Sequence, residues 1–255
     1  MTHPVTRGPR LLLALAAVAV AFAAADTYVV VLALPDMMAS VGISIDELQR
    51  GAPIVSGFLL GYVAMLPLIG RIADLRGRVP VLVAALVLFA VGSLVTTLAY
   101  DLPTLVAGRF LQGVGGGGLV PATLALVADL YPAERRGVPL GIVSAVQEIG
   151  SVLGPLYGAV VLAVSQWQVI FAINLVVGLL LAVTIRRTSG DTHSGEPPER
   201  DPIGAPLSGW RTIDWAGIAF LLMSIAAGAL VFLQPNALVS DVTWGQVFIP
   251  VAGTG

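Results

Sequence analysis

Six long apolar segments follow one another in the first 187 residues of this 255-residue chain, with short polar junctions between them. With 57% hydrophobic and 11% charged residues, and a mean hydropathy of +0.93, the chain is too apolar for an ordinary soluble domain. Each segment is long enough for a helix to cross a hydrocarbon core of about 30 Å. The sequence therefore predicts an all-α membrane protein with spans at residues 11–34, 51–70, 79–100, 102–130, 138–164 and 169–185.

The composition gives little support to catalytic or metal-binding chemistry. The absence of cysteine removes disulfides, thiolate metal sites and Cys nucleophiles, and the two histidines, His3 and His193, lie in polar segments. The glycine run 113–118 contains the GxGxxG spacing of dinucleotide-binding folds, but no strand precedes it. We therefore predict no enzymatic activity, no cofactor, no metal site and no nucleic-acid partner.

The arginines predict the orientation of the spans. All 13 basic residues are arginine, and those outside the spans gather on alternate junctions, with Arg50 as the exception on the opposite side. By the positive-inside rule the N-terminus is cytoplasmic, in a multi-pass protein of the plasma membrane. Cleavage of the first span as a signal peptide is the alternative. The arginines on the cytoplasmic side are Arg7, Arg10, Arg71, Arg76, Arg78, Arg135, Arg136, Arg186 and Arg187.

The chain divides into three parts. Residues 1–187 form a six-span domain, and residues 188–213 form a polar, proline-rich segment typical of a cytoplasmic linker. Residues 214–255 contain a seventh apolar run, at 215–233, and the start of another. We expect a transporter half whose partner is a missing C-terminal half, and a complete seven-span protein is the alternative.

Three charged residues lie deep inside predicted spans. Asp26 lies about 22 Å from the inner end of its span, and Arg109 lies about 10 Å from the outer end of its own, so the two depths nearly coincide. Glu148 lies about 15 Å deep, near the midplane. Because buried charges are tolerated when paired, Asp26 is expected to pair with Arg109. Asp26 and Glu148 are predicted to exchange protons, with Arg109 changing partner, and a purely structural lock is the alternative.

The fifth span places three glycines on one face. Gly150, Gly154 and Gly158 recur at helical spacing, whereas Glu148 lies roughly 120° around the helix from them. Such a stripe favours close packing against another helix, and Pro155 is expected to bend the span there.

The junction after the second span is rich in charge and glycine. It contains Gly70, Asp74, Arg76, Gly77 and Arg78, and Gly77 suits a tight turn. Asp129, at the end of the fourth span, is predicted to meet Arg78 or Arg76 and to stabilise one conformation of a switch. An exposed helix-end charge is the alternative for Asp129.

These motifs resemble those of the major facilitator superfamily. The junction from Gly70 to Arg78 resembles the signature loop of that family, and Gly150, Gly154, Pro155 and Gly158 resemble its antiporter motif. The segment from Asp26 to Pro35 is similar to the acidic motif of the 14-span drug:proton antiporter branch, although Val31 replaces a usual Asn. Further matches are Arg109, Gln112 and Gly113 in the fourth span, and Trp167, Phe171, Ile173 and Asn174 in the sixth, where Gln168 replaces a usual Arg.

The resemblance implies an N-terminal six-helix domain followed by a linker transmembrane helix. Within the branch, the first and fifth spans look most like mycobacterial multidrug efflux transporters that export triacylglycerides alongside a periplasmic lipid-carrier lipoprotein. The implied function is proton-coupled export of lipids or amphiphilic drugs by alternating access, with Tyr28, Gln112 and Gln147 in the substrate cavity. Uptake of a small solute and a non-transporting membrane scaffold are the alternatives.

Overall fold

The computed structural model describes residues 7–192 together with Met223. The described part consists of helices and contains no strand, and two short 3-10 turns, Ile45–Glu47 and Ala133–Arg135, lie at its junctions. The predictions for residues 193–255 lie outside the described residues, apart from Met223. The six helices are α1 (Arg7–Ser40), α2 (Leu48–Arg76), α3 (Arg78–Thr97), α4 (Leu102–Leu130), α5 (Gly137–Val164) and α6 (Trp167–Thr192).

All six helices are long and apolar enough to cross a membrane, which confirms the six predicted spans. Helix α6 continues to Thr192, so the first residues assigned to the linker are helical. The junction between α2 and α3 is a single residue, Gly77, whose φ of +87° is strained for any residue with a side chain. Asp101 caps the N-terminus of helix α4, and its carboxylate accepts a hydrogen bond from the Thr104 amide at 2.9 Å. Hydrogen bonding by Thr104, first through its side chain and then through its amide, holds the pKa of Asp101 below its ordinary value.

Helix α4 packs between α2 and α3, and its glycine run makes this packing possible. A Cβ atom on Gly113 or Gly117 would overlap the backbone carbonyl of Phe58 or Tyr62 on α2. A Cβ atom on Gly115 would come within 2.5 Å of the α3 backbone. The run therefore serves close packing on two sides, which offsets a cost of about 1 kcal/mol per glycine in helix propensity.

The predicted glycine stripe of α5 packs against α1. A Cβ atom at Gly150 would overlap the carbonyl of Ala21, and one at Gly154 would lie 2.5 Å from the carbonyl oxygen of Ala25. At Gly158 the added atom would meet the Val29 side chain. Helix α5 continues through Pro155 without interruption, and the bend predicted there stays a prediction. Because α5 packs mainly on α1, most of its remaining surface faces away from the other described helices.

Candidate functional site

Asp26 of α1 and Arg109 of α4 form an ion pair in the interior of the bundle. Arg109 Nη1 lies 2.8 Å from Asp26 Oδ2, and the two residues are 1% and 2% exposed, respectively. These are the two charged side chains that are buried in the described part of the chain. The contact predicted from their depths is therefore present, in surroundings where an unpaired charge would be costly.

A network of amides and hydroxyls completes the site. The Asn174 amide of α6 donates to Asp26 Oδ1, so both carboxylate oxygens are bound. Arg109 Nη1 also donates to Gln112 Oε1 at 3.0 Å. Gln112 Nε2 donates in turn to the Ser93 hydroxyl of α3 at 2.9 Å, and the Thr96 hydroxyl donates to Gln112 Oε1 at 3.2 Å. Helices α1, α3, α4 and α6 thus each contribute a polar group.

The position of Gln112 corrects the prediction that it lines the substrate cavity. Its side chain is fully buried between Arg109 and the hydroxyls of α3. Gln112 lies one turn beyond Gly108, and both residues are on the face of α4 that packs closely on α3. Its amide group links Arg109 to the Ser93 and Thr96 hydroxyls.

Two aromatic rings flank the guanidinium of Arg109. Its Cζ atom lies 4.5 Å from the ring centroid of Phe58 on α2 and 5.6 Å from that of Phe171 on α6. Attraction between a cation and an aromatic ring is strongest where both are shielded from water. Arg109 Nε is buried and has no hydrogen-bond partner among the described residues. The arginine therefore keeps a free donor for a second partner.

Glu148 lies in a separate cavity of about 210 Å³ between α1, α2, α4 and α5. Its side chain is exposed and makes no ion pair or hydrogen bond with a described residue. Tyr28 and Gln147 line the same cavity, whereas Asp26 and Arg109 do not. That this cavity holds the substrate stays a prediction. The further lining residues are Val20, Ala23, Ala24, Thr27, Phe58, Leu59, Tyr62, Gly116, Val120 and Ser151.

At the end of the bundle where α2 meets α3, the charged junction forms a second ion-pair cluster. Arg78 Nη1 lies 2.5 Å from Asp74 Oδ1, and Arg78 Nε lies 3.4 Å from Asp129 Oδ2 on α4. Asp129 therefore meets Arg78, one of its two predicted partners, whereas Arg76 is exposed and makes no described ion pair. Because Asp74 and Asp129 are more than half exposed, each pair contributes about 0–1 kcal/mol. A Cβ atom on Gly70 would meet no described atom.

Several residues of the site were not predicted from the sequence. Asn174 was noted as a motif residue without a role, and Phe58 carries no signal that separates it from other apolar residues of α2. Tyr157 of α5 has a buried hydroxyl with no hydrogen-bond partner in the described part, and it lies within electrostatic range of Asp26. Arg136, one of the arginines predicted to lie on the cytoplasmic side, donates to the carbonyls of Ala128 and Tyr131 and so caps the end of α4.

Comparison with known proteins identifies the family. Residues 16–254 match the sequence profile described as the Major Facilitator Superfamily. The chain belongs to this superfamily. The family inferred from the motifs is therefore confirmed, and with six helices of sufficient length the chain is part of a multi-pass membrane protein.

The chain is also similar to curated mycobacterial proteins. It is 46% identical over 191 residues to a protein of Mycolicibacterium smegmatis named triacylglyceride transporter, covering 74% of this chain and 34% of that protein. It is 39% identical over 233 residues to the protein of the same name from Mycobacterium tuberculosis, covering 90% of this chain and 43% of that one. The chain thus spans less than half the length of these relatives.

Solved structures support the fold alone, because their sequences are distant. A bacterial homologue of the human lysosomal transporter Spinster has a TM-score of 0.65 at 20% identity, over 88% of this chain and 50% of that one. The proton:xylose symporter XylE has a TM-score of 0.64 at 18% identity, over 72% of this chain and 45% of that one.

Proposed function

We propose that this chain forms the N-terminal half of a proton-coupled carrier that exports triacylglyceride-like lipids, amphiphilic drugs or both. The observation that carries the proposal is a buried, titratable ion pair, Asp26 with Arg109, beside a cavity that contains a second carboxylate, Glu148. The curated relatives, at 39–46% identity, are named triacylglyceride transporters, which supports a lipid substrate.

Protonation of Asp26 is the step that couples the ion to movement. The paired arginine stabilises the charged carboxylate, and a proton taken up by Asp26 removes the Coulombic attraction between them. Arg109 then needs a new acceptor for a charge that stays buried, and its free Nε is available to bind it. A change of partner for a buried arginine requires α1 and α4 to shift, which links the proton to alternating access.

Glu148 is proposed as the proton site that substrate and solvent reach directly. It lies in the cavity with Tyr28 and Gln147, where an amphiphilic ligand would find both apolar walls and hydrogen-bonding groups. In the proposed orientation the N-terminus and the Arg78 cluster are cytoplasmic, and breaking the contact of Arg78 with Asp129 accompanies opening on that side. The proposed partners are the C-terminal half and, as the resemblance implies, a periplasmic lipid-carrier lipoprotein.

Export driven by a pH gradient in proteoliposomes tests this proposal. The complete transporter should move a labelled triacylglyceride when a gradient is imposed, and Asp26→Asn and Glu148→Gln should each lower that rate by about tenfold or more. Asp36→Asn is the matched control, because Asp36 is an exposed carboxylate on the same helix as Asp26. The proposal fails if both site variants keep gradient-driven export at the rate of the control.

A further inference from the structure

Phe58 contacts both the buried ion pair and the cavity. Its side chain lines the cavity that contains Glu148, although the residue is only 2% exposed. The same ring lies 4.5 Å from the guanidinium carbon of Arg109. Phe58 is the one cavity-lining residue whose ring flanks Arg109 among those described, because Phe171, the other ring beside the arginine, does not line the cavity.

The position of Phe58 is fixed by α4, the helix that carries Arg109. The backbone of Phe58 packs directly on Gly113, one turn beyond Arg109, where any larger residue would overlap its carbonyl. The ring reaches over Gly116 and stacks on Tyr62, with 6.2 Å between ring centroids. A Cβ atom on Gly116 would lie 3.5 Å from Cζ of the ring, which is ordinary contact. The backbone is therefore tightly held by α4, whereas the contact between α4 and the ring at Gly116 is looser.

We propose that Phe58 transmits occupancy of the cavity to the Asp26–Arg109 pair, acting as a positioning residue between substrate and proton site. An apolar ligand in the cavity packs on the ring and holds it against Arg109. This contact stabilises the state in which Arg109 is paired with deprotonated Asp26. Protonation of Asp26 releases Arg109, and the ring then turns into the volume that the ligand would occupy. Ligand and proton thereby oppose each other without touching, as antiport requires.

The groups around Arg109 that bear on this linkage come from five helices. Asp26 on α1 is its charged partner, and Glu148 on α5 is the other carboxylate, in the cavity beyond Phe58. The neutral neighbours of the pair are Phe58 on α2, Gln112 on α4, Tyr157 on α5, and Asn174 and Phe171 on α6. In the Glu148→Gln variant a neutral ligand meets no carboxylate in the cavity. The pH dependence of its binding therefore reflects the protonation of Asp26.

The experiment measures the dissociation constant of a fluorescent triacylglyceride for the complete transporter across a broad pH series. In the Glu148→Gln background, affinity should rise with pH by at least about fivefold, the lower end of ordinary coupling between sites. With Phe58→Leu added, the affinities at the highest and the lowest pH should differ by less than about twofold. Phe58→Met serves as a second variant of similar volume, and both proteins are compared for monodispersity before titration.

Two matched controls separate coupling from packing. Phe171→Leu removes a ring that flanks Arg109 outside the cavity, and Leu59→Ala removes a cavity wall that does not flank Arg109. Both should keep the rise of affinity with pH, even where the affinity itself is weaker. Fluorine NMR of the transporter with 4-fluorophenylalanine at position 58 tests the same point without removing the ring, since its resonance should respond to ligand and, unless Asp26 is Asn, to pH.

The inference rests on the proposed function, and the outcomes distinguish the two. If the ligand affinity of the Glu148→Gln protein does not vary with pH, both the proposed function and the role of Phe58 are overturned. If that pH dependence is abolished by Asp26→Asn but kept by Phe58→Leu or Phe58→Met, the role of Phe58 alone is overturned. A fluorine resonance at position 58 that does not change when the ligand is added also overturns the role of Phe58.

Discussion

At the scale of single residues, Asp26 and Arg109 depend on each other for stability. Removing one partner of a buried pair leaves an uncompensated charge, which typically costs about 3–5 kcal/mol. Asn174 donates to the second carboxylate oxygen of Asp26 and Gln112 accepts from Arg109 Nη1, whereas Arg109 Nε has no partner among the described residues. Among the described residues the pair is held by neutral groups and rings rather than by a second carboxylate, which suits the reversible protonation that we propose for Asp26.

Tyr157 provides a test of stability at the same scale. Its hydroxyl is buried and lacks a described partner, so the hydroxyl contributes a desolvation cost without a compensating hydrogen bond. Tyr157→Phe should therefore leave the melting temperature of the purified transporter unchanged or raise it, as measured by thermal unfolding in detergent. A clear decrease, with the exposed Tyr100→Phe unchanged, would show that the hydroxyl has a partner that stabilises the protein.

The ion pair could be predicted from the sequence because depth follows from the position of a residue along its span. Counting residues placed Asp26 and Arg109 at the same height, and the structure brings them together. Depth does not give the rotation of a helix about its axis, however. That is why Gln112 was expected in the cavity and lies against α3, and why Phe58 was not singled out at all.

At the scale of helices, glycine determines which surfaces can approach closely. Periodicity alone placed Gly150, Gly154 and Gly158 on one face of α5, and that face is indeed in close contact with another helix. The sequence did not indicate that the partner is α1, because the choice of partner depends on the shapes of all six helices. As a result, the α1 backbone that carries Asp26 is packed on the helix that carries Glu148.

Two glycines of α5 give a matched pair for this packing. Gly154→Ala adds a methyl group 2.5 Å from the Ala25 carbonyl, whereas Gly141→Ala adds one where no described atom lies within 4 Å. Both changes gain about 1 kcal/mol in helix propensity. Overpacking should outweigh that gain at Gly154 by roughly 1–2 kcal/mol, so thermal unfolding should show Gly154→Ala destabilised and Gly141→Ala stabilised. Equal effects would mean that α1 and α5 are not packed this closely.

At the scale of the whole molecule, the described helices form a membrane domain that matches less than half of its curated relatives. Families of this kind transport by rocking two halves around a central site. One wall of the cavity is polar and is formed by Gln147, Glu148 and Ser151. The buried ion pair of Asp26 and Arg109 lies behind a second wall, at Phe58. We expect a substrate to lie against this cavity and the proton to move behind it.

Proton release on substrate binding tests this central claim most directly. Purified complete transporter in weakly buffered solution, with a pH indicator, should release protons when a triacylglyceride is added. The Glu148→Gln variant should still release some protons. Adding Asp26→Asn to that variant should abolish this remaining release, whereas adding Asp36→Asn should leave it unchanged. Release of the same size from the Asp26→Asn, Glu148→Gln double variant would contradict a proton site at Asp26 and Glu148.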